Sequence, residues 1–410
     1  MAAAPPPGPG SRPAPGPLAG VRVVDLTQNV AGPYCTMQLA DLGADVLKIE
    51  PIGHGDNART YGPPLTGGER AGFITLNRNK RSLAIDLKAP AGREVVERLA
   101  AAGDVLVENF RPGVMERLGL GHETLRTRSP GLIFASISGF GEGSPFGELG
   151  GLDLIAQGMS GLMSVTGEGP GRPPVKVGVP VTDLASGLFC CIAILGALRH
   201  RDATGEGQRV EATLLDAGLG LSVWEAAEWF GAGRRPEALG SAHRLSAPYE
   251  ALPTSDGWVT VGGANNRLWA SICHSLGCEQ LIDDPRFADN SSRRAHREEL
   301  AELLSERTRR HTTAVLVETL SAVGVPVGPI LHYDEILESE HARAREMTIT
   351  QEHPTAGEVR VLGVPYKLAA TPAAVRTPAP TLGQHTDETL AALGYGPGEI
   401  GELRAKGVVA

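Results

Sequence analysis

Residues 18–50 read LAGVRVVDLTQNVAGPYCTMQLADLGADVLKIE, and this stretch decides the fold. Residues 21–26 (VRVVDL) form a short, valine-rich run suited to a strand buried on both faces. Residues 33–42 then read as a helix with proline in its first turn, where the missing amide costs little. Residues 45–49 (DVLKI) are a second apolar strand. The same alternation continues outward. Strands are expected at 82–87, 104–107 and 132–137, with a helix at 91–102. Strands separated by helical stretches of this length predict right-handed βαβ units and a parallel sheet.

Further along, residues 185–199 read as a helix buried nearly all round, and 209–215 as another strand. The most apolar part of that helix, 184–198, is about 15 residues, short of the ~20 needed to span a bilayer. No membrane segment is therefore expected. The character changes near Trp224, where aromatic and then charged amphipathic helices extend up to residue 322. Short strands return beyond Gly328, and a proline-rich connector at 371–380 leads to two terminal helices. The expected division is a proline-rich tail at 1–17, a large Rossmann-like domain at 18–224, a smaller mixed α/β domain at 225–330, and a segment at 331–410 that returns to the large domain. The tail holds seven prolines in MAAAPPPGPGSRPAPGP and lacks the apolar core of a signal peptide.

Composition narrows the function. The net charge of −9 and an aromatic content of 4% argue against a nucleic-acid surface. The five cysteines are odd in number and form no C-x-x-C pair, which suits a reduced, cytoplasmic setting. No G-x-x-x-x-G-K-[ST], H-E-x-x-H or G-x-S-x-G motif is present, and no G-x-G-x-x-G follows the first strand, so nucleotide, metal and serine-hydrolase chemistry lose ground. The 53 glycines and 31 prolines make about a fifth of the chain, against an average of ~12%. Many of these glycines fall after expected strands, where open α/β sheets bind ligands. The loops are Asn29–Pro33, Glu108–Gly113, Ser138–Gly143 and Gly178–Asp183. Asp183 has two readings: a helix N-cap, or a carboxylate aimed into a strand-end cleft and able to attack an acyl group. Asp153, 30 residues earlier, is its candidate polar partner.

These blocks resemble the family III CoA-transferases, the formyl-CoA and carnitine CoA-transferase family. The resemblance rests on residues 18–50, NRNKRSLAIDLK (77–88), DVLVENFRPGVMERLGL (104–120), ISGFGEGSP (137–145), GVPVTDLASG (178–187), TGEGQRVEATLLDA (204–217) and PTLGQHTDETLAALG (380–394). It implies a homodimer of interlocked chains and acyl-CoA plus a carboxylic acid as substrates, with no permanently bound cofactor or metal. It makes Asp183 the catalytic nucleophile, with Asp153 as a second catalytic acid. It assigns CoA contacts to Asn29, Val30, Ala31, Ile85, Lys88, Asn109, Phe110, Val114 and Arg117. A family arginine is here Pro51, and Arg59 or Arg78 are its expected substitutes. Racemases of the same family carry a histidine where this chain has Leu152, which cannot shuttle a proton. DNARTYGPPLTG, GSAHRLSAPYEAL, VGGANN and GVPVGPI are similar to members that move CoA from succinyl-CoA to glutarate. That likeness makes Arg59, His243 and Arg244 candidates for a distal carboxylate, and Gly262 and Gly263 part of a loop covering the site. The alternatives are a racemase or epimerase, a thioesterase and a non-catalytic CoA-binding protein.

Overall fold

The computed structural model describes residues 16–410. The expected tail lies outside the described residues as far as residue 15. Gly16 and Pro17 instead begin a turn that is tied to a helix end, with Leu18 N–H donating to the Leu42 carbonyl at 3.0 Å.

The contacts divide the chain into two units. The first comprises residues 16–162, 177–223 and 340–410, and the second 163–176 and 224–339. The second thus takes in a short early segment and nine residues beyond the expected end at 330.

The first unit is built on six parallel strands: β1 (Arg22–Asp25), β2 (Asp45–Glu50), β3 (Lys80–Ala84), β4 (Val105–Glu108), β5 (Ile133–Ser138) and β6 (Arg209–Thr213), in the order β3-β2-β1-β4-β5-β6. This is the doubly wound order, which reverses direction between β1 and β4. Strand interiors are apolar because both faces are covered. Val23, Val46, Val107 and Ile133 pack on one side, and Val24, Leu47, Leu106 and Phe134 on the other.

Four helices shape the region beside the sheet's carboxyl edge: α1 (Ala31–Asp41), α2 (Asp153–Met159), α3 (Val181–Thr204) and α4 (Leu214–Leu221). Helix α3 has 24 residues, longer than the expected 185–199, and is apolar enough to pass a membrane-span criterion on length and composition. Its inner face, including Cys190, Ile194 and Ala197, packs in the core, while Leu188, Phe189 and Ile192 are exposed. Helices α1 and α3 approach closely at Gly187, where a Cβ would lie 2.6 Å from the Ala31 carbonyl oxygen. The expected strand at 209–215 ends earlier. Thr213 accepts the Asp216 amide through its side chain and starts α4.

The C-terminal residues pack within the first unit. Ile85 bridges Val409, and the buried Arg78 donates to the Leu362 carbonyl at 2.7 Å. The second unit has its own core. Three antiparallel strands (Tyr249–Pro253, Trp258–Gly262 and Val327–Pro329) pack with Trp269, Phe287, Leu300 and Leu316.

Candidate active site

β1 and β4 run side by side where the sheet order reverses, and the loops that follow them are joined. Asn109, just after β4, accepts the Gln28 amide at 2.8 Å and donates to the Gln28 carbonyl at 2.7 Å. Asn29 adopts the left-handed conformation (φ 68°), which asparagine tolerates better than most residues. Its amide is held by the buried Asp56 at 2.9 Å and its side chain by the Tyr61 hydroxyl at 2.9 Å.

The base of the β1 loop is a buried charge network. Lys48 reaches Asp56 at 2.8 Å and the Thr27 carbonyl at 2.7 Å. Lys80 reaches Asp25 and the Pro33 carbonyl, each at 3.0 Å. Burial alone would raise Asp25, but Lys80, Lys48 and bonds from Thr27 and Thr36 outweigh it and hold the carboxyl at about 2. These charges fix the loop rather than meet a ligand.

Above this edge opens a cavity of about 730 Å³. Asn29, Val30, Ala31, Asn109 and Phe110 line one side, and Leu152, Asp153 and Asp183 another. The second wall comes close because two glycines touch. A Cβ on Gly151 would lie 2.2 Å from the Gly139 Cα, so neither position accepts a side chain without movement.

Asp153 and Asp183 have different tasks. Asp153 accepts the Thr182 amide at 2.9 Å and its hydroxyl at 2.8 Å with one oxygen, and Gln157 at 2.7 Å with the other. The Gln157 side-chain oxygen in turn accepts the Val177 amide at 2.8 Å. Asp153 therefore satisfies the free amide at the start of α3, a duty that local sequence also allows Asp183. Asp183, in the first turn of α3, opens into the cavity. Burial, and then repulsion from Asp153, push its carboxyl from 3.8 up to about 7. A half-buried carboxyl with a raised pKa, facing a large cleft at a switch point, is a candidate functional group.

The other expected site residues separate into groups. Ile85 and Lys88 line a second cavity of about 400 Å³, which also contains Pro51 and His54, and Phe110 lines both cavities. Val114 and Arg117 lie on the short helix Val114–Arg117 and line neither. Arg59 is committed elsewhere. It forms a two-point ion pair with the buried Glu50, at 2.7 and 2.9 Å, and stacks over Phe73. Arg78 is buried against Asp41 at 2.6 Å. Neither is free to replace the arginine missing at Pro51. His243, Arg244, Gly262 and Gly263 belong to the second unit. There His243 stacks on Tyr249, and Arg244 pairs with Glu225 and Glu228. The Gly262 amide donates to the Pro326 carbonyl and the Gly263 amide to the Pro248 carbonyl; Gly262 ends a strand, and Gly263 starts the connection to the helix at Asn266–Leu276. Tyr61 and Arg111 are among the cavity residues that the sequence reading does not assign as site residues. Both stand in the notable stretches DNARTYG and ENFRPG, but neither spacing nor residue type shows that they face the cleft.

The sheet order and a switch-point cleft that holds a half-buried carboxyl define a doubly wound α/β protein with a candidate active site. The sequence pattern of CoA-transferase family III matches residues 18–386. The chain is 38% identical over 394 residues to succinyl-CoA:glutarate CoA-transferase of Homo sapiens, spanning 96% of this chain and 90% of that protein. It is 37% identical over 383 residues to succinate–glutarate CoA-transferase of Agrobacterium fabrum, spanning 92% and 96%. The crystal structure of a CaiB/BaiF family protein from Brucella suis superposes with a TM-score of 0.84 at 38% identity, over 92% of this chain and all of that one. The chain belongs to CoA-transferase family III and is a CoA-transferase.

Proposed function

We propose that this enzyme moves CoA from succinyl-CoA to a dicarboxylic acid such as glutarate, with Asp183 as the nucleophile. The observation that carries the mechanism is the Asp183 carboxyl, open to the 730 Å³ cavity and raised to about 7. A carboxylate that gives up solvation on burial is a stronger nucleophile towards an acyl carbon than one in water. The choice of acids rests on the names of the human and Agrobacterium relatives.

Ionised Asp183 attacks the thioester carbonyl. The carbon–sulfur bond breaks, giving an aspartyl–succinyl anhydride and the CoA thiolate. The thiolate attacks the aspartyl carbonyl, releasing succinate and leaving an aspartyl-CoA thioester. The acceptor carboxylate attacks that carbonyl and expels the thiolate, forming a second anhydride. Thiolate attack on the acceptor's acyl carbon then yields the new acyl-CoA and regenerates Asp183. No net proton or water is consumed. Asp153 acts as a positioning residue, since both its oxygens are engaged in holding the start of α3. CoA would lie along Asn29–Ala31 and Asn109–Phe110, with its far end towards Ile85 and Lys88 in the second cavity. The exposed apolar row Leu152, Ile155, Leu188, Phe189 and Ile192 supports pairing with a second copy of the chain, because monomers rarely leave such a surface open.

A matrix of acyl-CoA donors against carboxylic acids, read by mass detection of new acyl-CoA, tests the substrate assignment. Succinyl-CoA with glutarate or a similar dicarboxylate is expected to give product. Free CoA alone, or exchange of the α-proton without transfer, overturns it.

A further inference from the structure

The cavity that holds Asp183 is lined by three charged side chains: Asp183, Asp153 and Arg111. Asp153 is fully engaged. Arg111 stands just past the end of β4, in the loop after Glu108, and its backbone carbonyl accepts the Val114 amide at 3.1 Å. Among the described residues, no hydrogen bond or ion pair ends on its guanidinium. The carboxylates of Glu108, Glu116, Glu142 and Glu211 and the guanidinium of Arg209 line a small adjoining cavity with it, yet none of the carboxylates comes within ion-pair distance of Arg111. The tip is nonetheless placed, because its Nη2 atom lies 3.7 Å from where a Gly150 Cβ would stand. Gly150 precedes Gly151 and Leu152, the stretch that leads into Asp153. The guanidinium thus sits on the wall of the reacting cleft, beside the approach to the nucleophile, with its donors uncommitted.

The two arginines expected to replace the one missing at Pro51 are occupied. Arg59 is spent on Glu50 and Arg78 on Asp41. An unpaired guanidinium facing a cleft of this size is suited to bind a carboxylate through two parallel hydrogen bonds. We infer that Arg111 is the specificity-determining cation that receives the distal carboxylate of the dicarboxylic substrates. The inference rests on the dicarboxylate reading under Proposed function. Donor and acceptor acids alternate on Asp183, so one cation serves the distal group of both. The neighbouring Asp183 and Asp153 would repel a second negative charge, and Arg111 offsets that repulsion. The same chemistry suits a phosphate of CoA, and the test separates the two sources.

The test measures glutarate, pentanoate and free CoA binding by calorimetry, together with steady-state transfer, in the wild type, Arg111→Met and Arg111→Lys. Wild-type enzyme is expected to bind glutarate more tightly than pentanoate. Arg111→Met is expected to weaken glutarate by about 10- to 150-fold, the range for loss of a charge-assisted contact. Pentanoate and free CoA should stay within about threefold by the same reasoning, with Arg111→Lys intermediate for glutarate alone. Equal weakening of CoA overturns the assignment in favour of a phosphate contact. Unchanged glutarate binding in Arg111→Met overturns it outright. A wild type that neither binds nor uses any dicarboxylate overturns the substrate reading instead, and that result appears before any variant is compared.

Discussion

Replacing Asp183 by asparagine removes the proposed nucleophile, and the structure also gives the replacement a pH-dependent effect on stability. Burial and Asp153 raise the carboxyl from 3.8 to about 7. For a carboxyl raised in the folded state, folding favours the neutral acid. The charge therefore costs nothing well below pH 3.8, and its cost grows as pH rises towards 7. A rise of that size corresponds to at most about 4 kcal/mol of lost stability once the group is ionised. The open side of the carboxyl towards the cavity reduces the figure. Asparagine imitates the neutral acid at every pH. The stability advantage of Asp183→Asn should then grow by up to about 2.5 kcal/mol between about pH 5 and pH 8. Urea unfolding at matched protein concentration, followed by circular dichroism at several pH values, measures it. Transfer activity should fall by at least about 10³-fold in the same variant. In the wild type, the acylation rate should rise with pH, with about one-tenth of Asp183 ionised at pH 6 and nine-tenths at pH 8. A stability advantage that stays constant across that same range of about pH 5 to pH 8 refutes the claim that the fold holds Asp183 as a reluctant anion.

Three further outcomes follow from the cleft geometry. Asp153→Asn presents an amide to Gln157, whose own oxygen is already taken by the Val177 amide. Its kcat should drop by about 10- to 100-fold, the scale of one lost charge-assisted bond. Loss of the Asp153 charge should also shift the acid limb of the pH–rate profile downward, because that charge helps to raise Asp183. Asn109→Ala removes both bonds that tie the β4 loop to Gln28. The KM for succinyl-CoA should rise by about 5- to 100-fold with little change in kcat, measured at saturating glutarate. Gly151→Ala puts a methyl 2.2 Å from the Gly139 Cα. It should destabilise the fold by about 3 kcal/mol or more and lower Tm by roughly 3–6 °C in a thermal scan.

Much of the first unit is legible because parallel strands buried on both faces are written as uninterrupted apolar runs. Each expected strand, from VRVVDL to LIFASI, overlaps an observed one and differs from it only at the ends. The sheet order is not legible, since strand sequences do not encode which neighbour they choose. Helix α3 is longer than its apolar run suggests. Its first turn, Val181–Leu184, is opened from outside by Asp153, and no local pattern reveals a cap 29 residues away. The same distant contact gives the capping duty to Asp153 rather than to Asp183, whose carboxylate accepts no hydrogen bond among the described residues. Arg59 is a plausible anion reader in sequence because its partner, Glu50, sits in a strand that reads as uniformly buried. Arg111 falls in the Glu108–Gly113 loop that the sequence singles out, but an arginine between phenylalanine and proline shows no role of its own until the loop is seen against Gly150.

The covalent role of Asp183 is tested most directly by trapping. Enzyme turning over succinyl-CoA is quenched with hydroxylamine, digested, and mapped by mass spectrometry. The account predicts a hydroxamate on Asp183 that requires the acyl-CoA and is absent from Asp183→Asn. A label on another carboxyl, or unlabelled Asp183 in enzyme that still transfers CoA, contradicts it.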